Sequence, residues 1–197
     1  MSTIKLAVIG GIGSGKSVVT RLLQAMNIPV YDCDSQAKRL MENDDYLRRE
    51  LVRFFGDECY CEDGTLNRKW IAARIFVDKG AIERVNSLVH PCVKNDFLAW
   101  SERQNSDIVA METAILFESN MRDAVDKVLL VWADKETCIS RVEGRNGFTR
   151  NQVQNRMNNQ MSVDDLLFLS DYSVCNDGNT PVIPEVVEII NSIRENK

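Results

Sequence analysis

The feature that most restricts the fold is an apolar run followed by a glycine-rich octapeptide. IKLAVI occupies residues 4–9, and GGIGSGKS follows at residues 10–17. A short apolar, β-branched run predicts a buried strand, and the pattern over residues 16–26 predicts an amphipathic helix. The residues predicted to share one side of that helix are Val18, Val19, Leu22, Leu23 and Met26. Strand, glycine-rich turn and helix in this order indicate a parallel α/β sheet.

The octapeptide fits the pattern G-x-x-x-x-G-K-[ST]. Glycines let successive backbone N–H groups turn toward an anion, and the N-terminus of the following helix adds a partial positive charge. A lysine at this position reaches the outer phosphates, and the serine hydroxyl can bind Mg²⁺. We therefore predict a nucleoside triphosphate site formed by Gly11, Gly13, Ser14, Gly15, Lys16, Ser17 and Val18, the last through its backbone N–H.

Four further β-branched runs follow the first strand, at residues 29–32, 107–113, 127–133 and 172–175. Near-continuous apolar runs that alternate with helical patterns predict a five-stranded parallel sheet covered on both faces. We assign residues 1–34, 104–135 and 170–197 to a nucleotide-binding core within a single unit. Residues 35–103 read as a helical insertion, and the polar residues 136–169 as a second helical interval. Thr149 and Gln152 fit a capping box, so a helix is predicted to start near Arg150.

Composition narrows the possible partners. The net charge of −5 disfavours nucleic acid and anionic membranes, which select basic surfaces. No apolar run reaches the roughly 18 residues that a membrane span needs. The six cysteines are scattered without a CxxC pair, which is typical of reduced thiols in the cytoplasm. Nothing in the sequence predicts an obligate protein partner.

Two carboxylates follow the second predicted strand. Asp32 and Asp34 are two residues apart, so on an extended chain both side chains face the same way, at the ligand-binding edge of the sheet. A carboxylate there can hold Mg²⁺ or accept the proton of an attacking hydroxyl, and we assign this part to Asp34. Alternatively, Asp34 or Ser35 simply caps the next helix.

Arginines follow the fourth predicted strand. Arg141 and Arg145 are four residues apart and share a helix face unless Gly144 ends the helix first. Guanidinium groups can close over the phosphoryl oxygens during transfer, although exposed surface arginines are the simpler alternative. The sequence has no Asn-Lys-x-Asp tetrapeptide of the kind that GTPases use to bind guanine. A small phosphotransferase or a nucleotide-dependent switch therefore remains.

Over most of its length the chain resembles the dephospho-coenzyme A kinase family. The motifs that carry the resemblance, in order, are IGGIGSGKS, DCDSQAK, DGTLNRKWIAARIF, LVHP, ETAILFE and DYSVCNDG. The resemblance implies a P-loop NTPase-type three-layer fold that binds MgATP. It also implies that residues 35–103 hold dephospho-coenzyme A and that residues 136–169 form a lid. The implied reaction phosphorylates the ribose 3′-hydroxyl in the last step of coenzyme A biosynthesis.

The resemblance also implies site residues. Asp34 matches the carboxylate beside the acceptor hydroxyl, and Arg141 matches the lid arginine of the family. We expect Lys16 and Arg141 to act in catalysis and Arg145 to contact the nucleotide. The residues expected at the substrate are Asp32, Lys38, Arg68, His90 and Glu118, with Ser17 and Asp34 at the metal. His90 has a second interpretation, as a polar residue at a helix break before Pro91.

The sequence departs from the family pattern at two places. The family's Pro-Leu-Leu-[FV]-E segment is represented here by a stretch without the proline, at Thr113–Ala114, and Val18 replaces a commoner threonine. Two alternative functions stay open: another small-molecule P-loop kinase, with a nucleoside monophosphate or hydroxy acid as acceptor, and a switch without transfer chemistry.

Overall fold

The computed structural model describes residues 3–196, apart from the side chains of Phe76, Val77, Lys79, Arg145 and Asn146. Contacts divide the chain into two compact units. The first unit comprises Met1–Tyr31 and Ser101–Lys197, and the second comprises Asp32–Trp100.

A five-stranded sheet is the centre of the fold. Its strands are β1 (Ile4–Ile9), β2 (Val30–Asp32), β3 (Ile108–Thr113), β4 (Lys127–Trp132) and β5 (Tyr172–Cys175). Their spatial order is β2-β3-β1-β4-β5, and β1 pairs in parallel with both β3 and β4. In this register Val8 lies opposite Glu112 on one side and Leu129 on the other. The predicted five-stranded parallel α/β sheet is confirmed, and each strand lies within about one residue of its predicted position.

Helices connect and cover the strands. In the first unit they are α1 (Lys16–Ala25), α6 (Lys135–Asn146), α7 (Arg150–Met157), α8 (Val163–Leu169) and α9 (Val182–Glu195). In the second unit they are α2 (Cys33–Asn43), α3 (Asp45–Phe55), α4 (Arg68–Val77) and α5 (Lys79–Glu102). Among the described residues, none of the helices is both long enough and apolar enough to cross a membrane.

The main core lies between the sheet and the two helices α1 and α9. Inward side chains of β1, β3 and β4 pack against Val19 and Leu23 of α1 and against Val186 and Ile190 of α9, and all four of these residues are fully buried. The prediction that Val18 shares this apolar side is wrong, because Val18 is 40% exposed. One residue corresponds to about 100° of helix rotation, so burying Val19 turns Val18 away from the core.

The helices α6 and α7 have a small core of their own. Ile139, Val142 and Val153 are buried together, and Ile12 from the glycine-rich octapeptide packs against them. The capping box of Thr149 and Gln152 is present, and α7 begins at Arg150 as predicted. Gly144 does not end α6. The helix continues to Asn146, and Gly147 adopts the left-handed conformation at its C-cap.

Among its described residues the second unit contains four α-helices, and α3 contacts the DGTLNR segment through Arg48. Arg48 donates to the carbonyl of Gly64 at 2.9 Å and lies over the Tyr60 ring, 4.2 Å from its centroid. The Tyr60 hydroxyl donates to the carbonyl of Met41, and burial raises the pKa of Tyr60 to about 12. The interpretation of His90 as a polar residue at a helix break is wrong, because α5 runs through Pro91 without interruption.

Candidate active site

The glycine-rich octapeptide, which we call the phosphate loop (residues 10–17), requires glycine at several positions, among them residues 13 and 15. Gly13 has φ +80° and Gly15 has φ +88°, in the region that residues with side chains avoid. A Cβ atom on Gly13 would collide with the backbone carbonyl of Cys138, and one on Gly15 with Nδ2 of Asn176. The loop is therefore enclosed by α6 on one side and by the residue after β5 on the other.

Lys16 is the first residue of α1 and lies against the phosphate loop. Its Nζ donates to the carbonyl of Gly10 at 2.7 Å and to that of Gly11 at 3.3 Å. Gly15 is the N-cap of α1, and no side chain caps this end among the described residues. An uncapped helix N-terminus beside a lysine favours an anion, because backbone N–H groups and positive charge point the same way.

A cavity of about 600 Å³ opens at this helix N-terminus. That volume is within the range typical of small-molecule sites. Its walls come from α1, the end of β3, α6 and the segment after β5, all within the first unit. The residues that line it are Ile12, Gly13, Gly15, Lys16, Ser17, Val18, Arg21, Glu112, Arg141, Val142 and Asn176. Of the predicted site residues, the structure places Gly13, Gly15, Lys16, Ser17, Val18 and Arg141 around this one cavity.

Arg141 projects from α6 into this cavity with an unsatisfied donor. Its Nη1 is buried and has no hydrogen-bond partner within the described part of the chain. The hydroxyl oxygen of Ser14 is likewise buried and without a partner there. Burial raises the pKa of the neighbouring Cys138 thiol, while the positive charges of Arg141 and Lys16 act in the opposite direction. A buried guanidinium nitrogen without an acceptor is costly, so this site is suited to an anionic ligand.

Three residues at the loop escaped the sequence analysis. Asn176 is only 9% exposed, and its Nδ2 donates to the carbonyl of Ser14 at 2.9 Å. Glu112 lines the cavity and accepts a hydrogen bond from the buried Thr20 hydroxyl at 3.0 Å. Gln160 accepts the N–H of Ile12 at 3.0 Å. A polar residue at the end of an apolar strand is a usable signal for Glu112 and Asn176, whereas Gln160 lies in a polar stretch without such a signal.

Three predicted residues of the first unit do not line the cavity. Glu118 accepts a hydrogen bond from the N–H of Met161 at 3.1 Å, so its carboxylate is joined to the segment between α7 and α8. Gly11 and Ser14 instead line a second cavity of about 370 Å³. The side chain of Arg145 is outside the described residues.

The carboxylates after β2 differ from their predicted arrangement. Asp32 is the last residue of β2 and the N-cap of α2, where its carboxylate accepts the N–H groups of Asp34 and Ser35 and the Ser35 hydroxyl. The prediction that Asp32 and Asp34 share an extended strand is wrong, because this cap starts the helix at Cys33. The alternative that Asp34 or Ser35 is the cap is also wrong. Asp34 lies exposed in the first helical turn.

The remaining predicted residues lie in the second unit. Lys38 is exposed on α2, and Arg68 begins α4 with an ion pair to Glu42 at 3.0 Å. His90 is half-buried in α5, and burial lowers the pKa of its imidazole below 6.5. Asp34 and these three residues are therefore all placed on helices of one compact unit.

Comparisons with known proteins identify the relatives of this chain and its fold. The profile of the family described as dephospho-CoA kinase matches residues 4–181. A dephospho-CoA kinase from Porphyromonas gingivalis is 38% identical over 192 residues, covering 97% of this chain and 95% of that protein. A crystal structure of a Thermus thermophilus protein superposes with a TM-score of 0.85 at 29% identity, covering 98% of both chains. Dephospho-CoA kinase from Campylobacter jejuni has the same fold, with a TM-score of 0.72, 20% identity and 98% of both chains covered.

Proposed function

The chain belongs to the dephospho-CoA kinase family, and on this premise we propose that it transfers the γ-phosphoryl group of ATP to the ribose 3′-hydroxyl of dephospho-coenzyme A. The products are coenzyme A and ADP, and the reaction is the last step of coenzyme A biosynthesis. ATP and dephospho-coenzyme A are the two substrates. The proposed location is the cytoplasm, without a nucleic-acid, membrane or obligate protein partner.

The observation that carries the proposal is the unsatisfied Nη1 of Arg141 in the cavity of the phosphate loop. A loop alone fits any triphosphate-binding protein, including a switch. A second cation in the same cavity as the loop fits phosphoryl transfer, because the negative charge on the transferring group needs several donors. Lys16 and Arg141 therefore act on the phosphates of ATP.

The phosphate loop binds the triphosphate through its backbone N–H groups. Gly11, Gly13, Ser14, Gly15, Lys16, Ser17 and Val18 form this part of the site, and Arg145 is a further nucleotide contact. Lys16, which donates to carbonyls of its own loop, would exchange these acceptors for phosphate oxygens. This exchange keeps the ammonium group hydrogen-bonded with and without the nucleotide, so binding leaves no donor unpaired.

The oxygen donors in the cavity fit Mg²⁺. The Ser17 hydroxyl and the Glu112 carboxylate both line it, and no group of three or more histidine, cysteine or acidic residues is present within the described residues. Mg²⁺ typically takes one or two protein oxygens and completes its shell with water and substrate phosphates. Ser17 would hold the ion with Glu112 nearby, and Asp34 is a further proposed ligand. When bound, the ion offsets the charge of the phosphate oxygens.

Asp34 is the proposed acceptor of the proton from the ribose 3′-hydroxyl. Its carboxylate is exposed, whereas that of Asp32 is occupied in capping α2. Asp32 thus holds the backbone of Asp34 in place and is proposed to influence the substrate through it. Lys38, Arg68, His90 and Glu118 are the further proposed contributors to the substrate site. Residues 35–103 are the proposed substrate-binding insertion, and residues 136–169 the proposed lid.

A panel of acceptors tests the proposed reaction. ADP release from MgATP is measured with dephospho-coenzyme A, nucleoside monophosphates, shikimate and gluconate, each against a blank without acceptor. We expect release well above the blank only with dephospho-coenzyme A. Release with another acceptor alone would favour a different small-molecule kinase, and ATP binding without release for any acceptor would favour a switch.

Substitution of Asp34 tests its part in the reaction. We expect Asp34→Asn to lower kcat by about 10²- to 10⁴-fold with little change in the affinity for ATP, because a general base contributes roughly that factor. Asp45→Asn is the matched control, since Asp45 is an exposed aspartate in the first turn of α3. Equal turnover in Asp34→Asn and in the control would remove Asp34 from the mechanism.

A further inference from the structure

Gln160 connects the phosphate loop to a distant segment of the first unit. It lies between α7 and α8, and its Oε1 accepts the N–H of Ile12 at 3.0 Å across 148 residues of sequence. The side chain of Ile12 packs against the buried core of α6 and α7 formed by Ile139, Val142 and Val153. Both the backbone and the side chain of residue 12 are thus held by the region between β4 and β5.

The next residue provides a second connection. The N–H of Met161 donates to Oε1 of Glu118, in the segment after β3, at 3.1 Å. Consecutive residues therefore join one segment to the loops after two neighbouring strands, β1 and β3. Two hydrogen bonds at adjacent residues restrict the segment more than either alone, because a movement that keeps the geometry of one bond disturbs the geometry of the other. The side-chain oxygen Oε1 of Gln160 consequently has a defined position relative to the phosphate loop.

The surroundings of the Ile12 N–H are mostly apolar. Ile12 and Gln160 both line the cavity of about 370 Å³ behind the loop, whose walls include the apolar side chains of Leu130, Trp132 and Met157. A partly buried amide without an acceptor is unfavourable in such a wall. The Gln160 carbonyl thus determines the direction in which this N–H points.

The orientation of the N–H matters for Lys16. A peptide unit is planar, so fixing the N–H of Ile12 also fixes the carbonyl of Gly11 on the opposite side of the same plane. That carbonyl accepts from Nζ of Lys16 at 3.3 Å and from the N–H of Ser14 at 3.3 Å. A continuous path therefore leads from Gln160 through one peptide unit to Lys16.

We propose that Gln160 is a positioning residue that fixes the orientation of the Gly11–Ile12 peptide plane. Through that plane it sets the position that Lys16 occupies when ATP arrives and its phosphates replace the loop carbonyls. The inference rests on the proposed function, because it assigns Gln160 a part in handling that nucleotide. Gln160 acts through the backbone of the loop and does not itself need to touch a substrate. Its removal should therefore affect steps that depend on ATP and leave the affinity for the acceptor unchanged.

Three variants test this role. Gln160→Met keeps the length of the side chain and removes the acceptor, whereas Gln160→Glu keeps an acceptor oxygen. Gln24→Met makes the same chemical change on the exposed side of α1, outside the proposed lid, where the Gln24 side chain makes no hydrogen bond within the described residues. The readouts are amide hydrogen exchange resolved at Ile12 without ligands, and kcat and KM for ATP and for dephospho-coenzyme A.

For Gln160→Met we expect faster exchange at Ile12 and a decrease of about tenfold in kcat/KM for ATP, with KM for dephospho-coenzyme A within about twofold of wild type. A tenfold change is the size expected for one hydrogen bond lost from the path to the phosphates. Gln160→Glu should keep Ile12 protected but raise KM for ATP, since its negative charge repels the phosphates, and added salt should reduce that effect. Gln24→Met should match wild type in exchange and kinetics.

Several results would overturn the inference. Unchanged exchange at Ile12 in Gln160→Met would show that the hydrogen bond does not hold the peptide. Faster exchange with wild-type kinetics would show that the held peptide does not matter for ATP, and equal losses for both substrates would indicate a structural role only. If wild type itself fails to phosphorylate dephospho-coenzyme A, the proposed function falls, while the exchange at Ile12 still tests the contact with Gln160.

Discussion

The close approach of Asn176 to Gly15 predicts that substitutions at these two positions are not additive. Nδ2 of Asn176 donates to the carbonyl of Ser14 and occupies the space where a Cβ of residue 15 would lie. Asn176→Ala should cost about 1–3 kcal/mol of unfolding free energy, since it leaves the Ser14 carbonyl without its partner. The same contact should be lost in Gly15→Ala, because the new methyl group displaces the amide.

The coupling between the two substitutions has the size of the hydrogen bond between Asn176 and the Ser14 carbonyl, because either substitution alone already removes it. Gly15→Ala carries about 1–2 kcal/mol of strain from the left-handed backbone, in addition to the displaced hydrogen bond. The double variant keeps the strain but loses the hydrogen bond only once. Its destabilisation should therefore be about 1–3 kcal/mol smaller than the sum of the two single effects, which is within the range seen for residues in contact.

Urea unfolding measures this coupling, and the first unit contains a local probe. Trp132 accepts the backbone N–H of Asn176 at 2.7 Å, and the other two tryptophans, Trp70 and Trp100, belong to the second unit. Replacing both by phenylalanine leaves Trp132 as the fluorophore, and circular dichroism checks that the transitions coincide.

A second left-handed glycine supplies the control. Gly147 has φ +63°, and a Cβ there would meet nothing within 4 Å. Gly147→Ala should cost about 1–2 kcal/mol from backbone strain and add to Asn176→Ala within about 0.5 kcal/mol. Additive behaviour of the Gly15 and Asn176 variants, equal to that of the control, would refute the reasoning.

Two further predictions concern the helices. Because burial lowers the pKa of His90 below 6.5, the unfolded chain binds the proton first, and stability should fall as pH decreases from about 6.5 through the lower folded-state pKa. His90→Gln should remove that part of the pH dependence, which urea unfolding between pH 5 and 7.5 would measure. If the stability of wild type and of His90→Gln depended on pH in the same way, this prediction would be wrong. Thr149→Ala removes the N-cap of α7 and should cost about 1 kcal/mol in the same assay, whereas an unchanged midpoint and slope would argue against the cap.

The sheet could be predicted because its signals are local. Each strand is a short apolar run, and the phosphate loop combines a strand end, glycines at constrained positions and a helix start within 14 residues. The α7 boundary was equally local, since both partners of the capping box lie within four residues. These features depend on neighbours in sequence, so the distant parts of the fold do not alter them.

The carboxylates after β2 show where local signals compete. Asp32, Asp34 and Ser35 can each cap a helix, and the sequence alone does not say which of three nearby polar residues wins. The structure selects Asp32, whose carboxylate accepts two backbone N–H groups and one hydroxyl. That choice moves Asp34 from the strand into the helix and separates the structural carboxylate from the proposed catalytic one.

The helix through Pro91 shows tertiary packing overriding a local rule. A proline inside a helix costs about 3 kcal/mol, which favours a break at His90. On either side of it, however, Leu88, Val89, Val93 and Phe97 are all at most 6% exposed. Burying each such side chain contributes about 1.5–3 kcal/mol, so the four together outweigh the proline. A local rule cannot include these contacts, because it does not see what α5 packs against.

The residues around the phosphate loop differ in how far topology could have revealed them. The carboxyl ends of parallel strands meet at one edge of a sheet, so a polar residue that ends an apolar strand is a candidate for any site at that edge. Glu112 and Asn176 satisfy this rule, and applying it to every strand rather than only to β2 would have found both. Gln160 follows no strand, and only the packing of α7 and α8 brings its carbonyl to Ile12. Residues of this second kind cannot be found from the sequence, because their position depends on how distant helices pack.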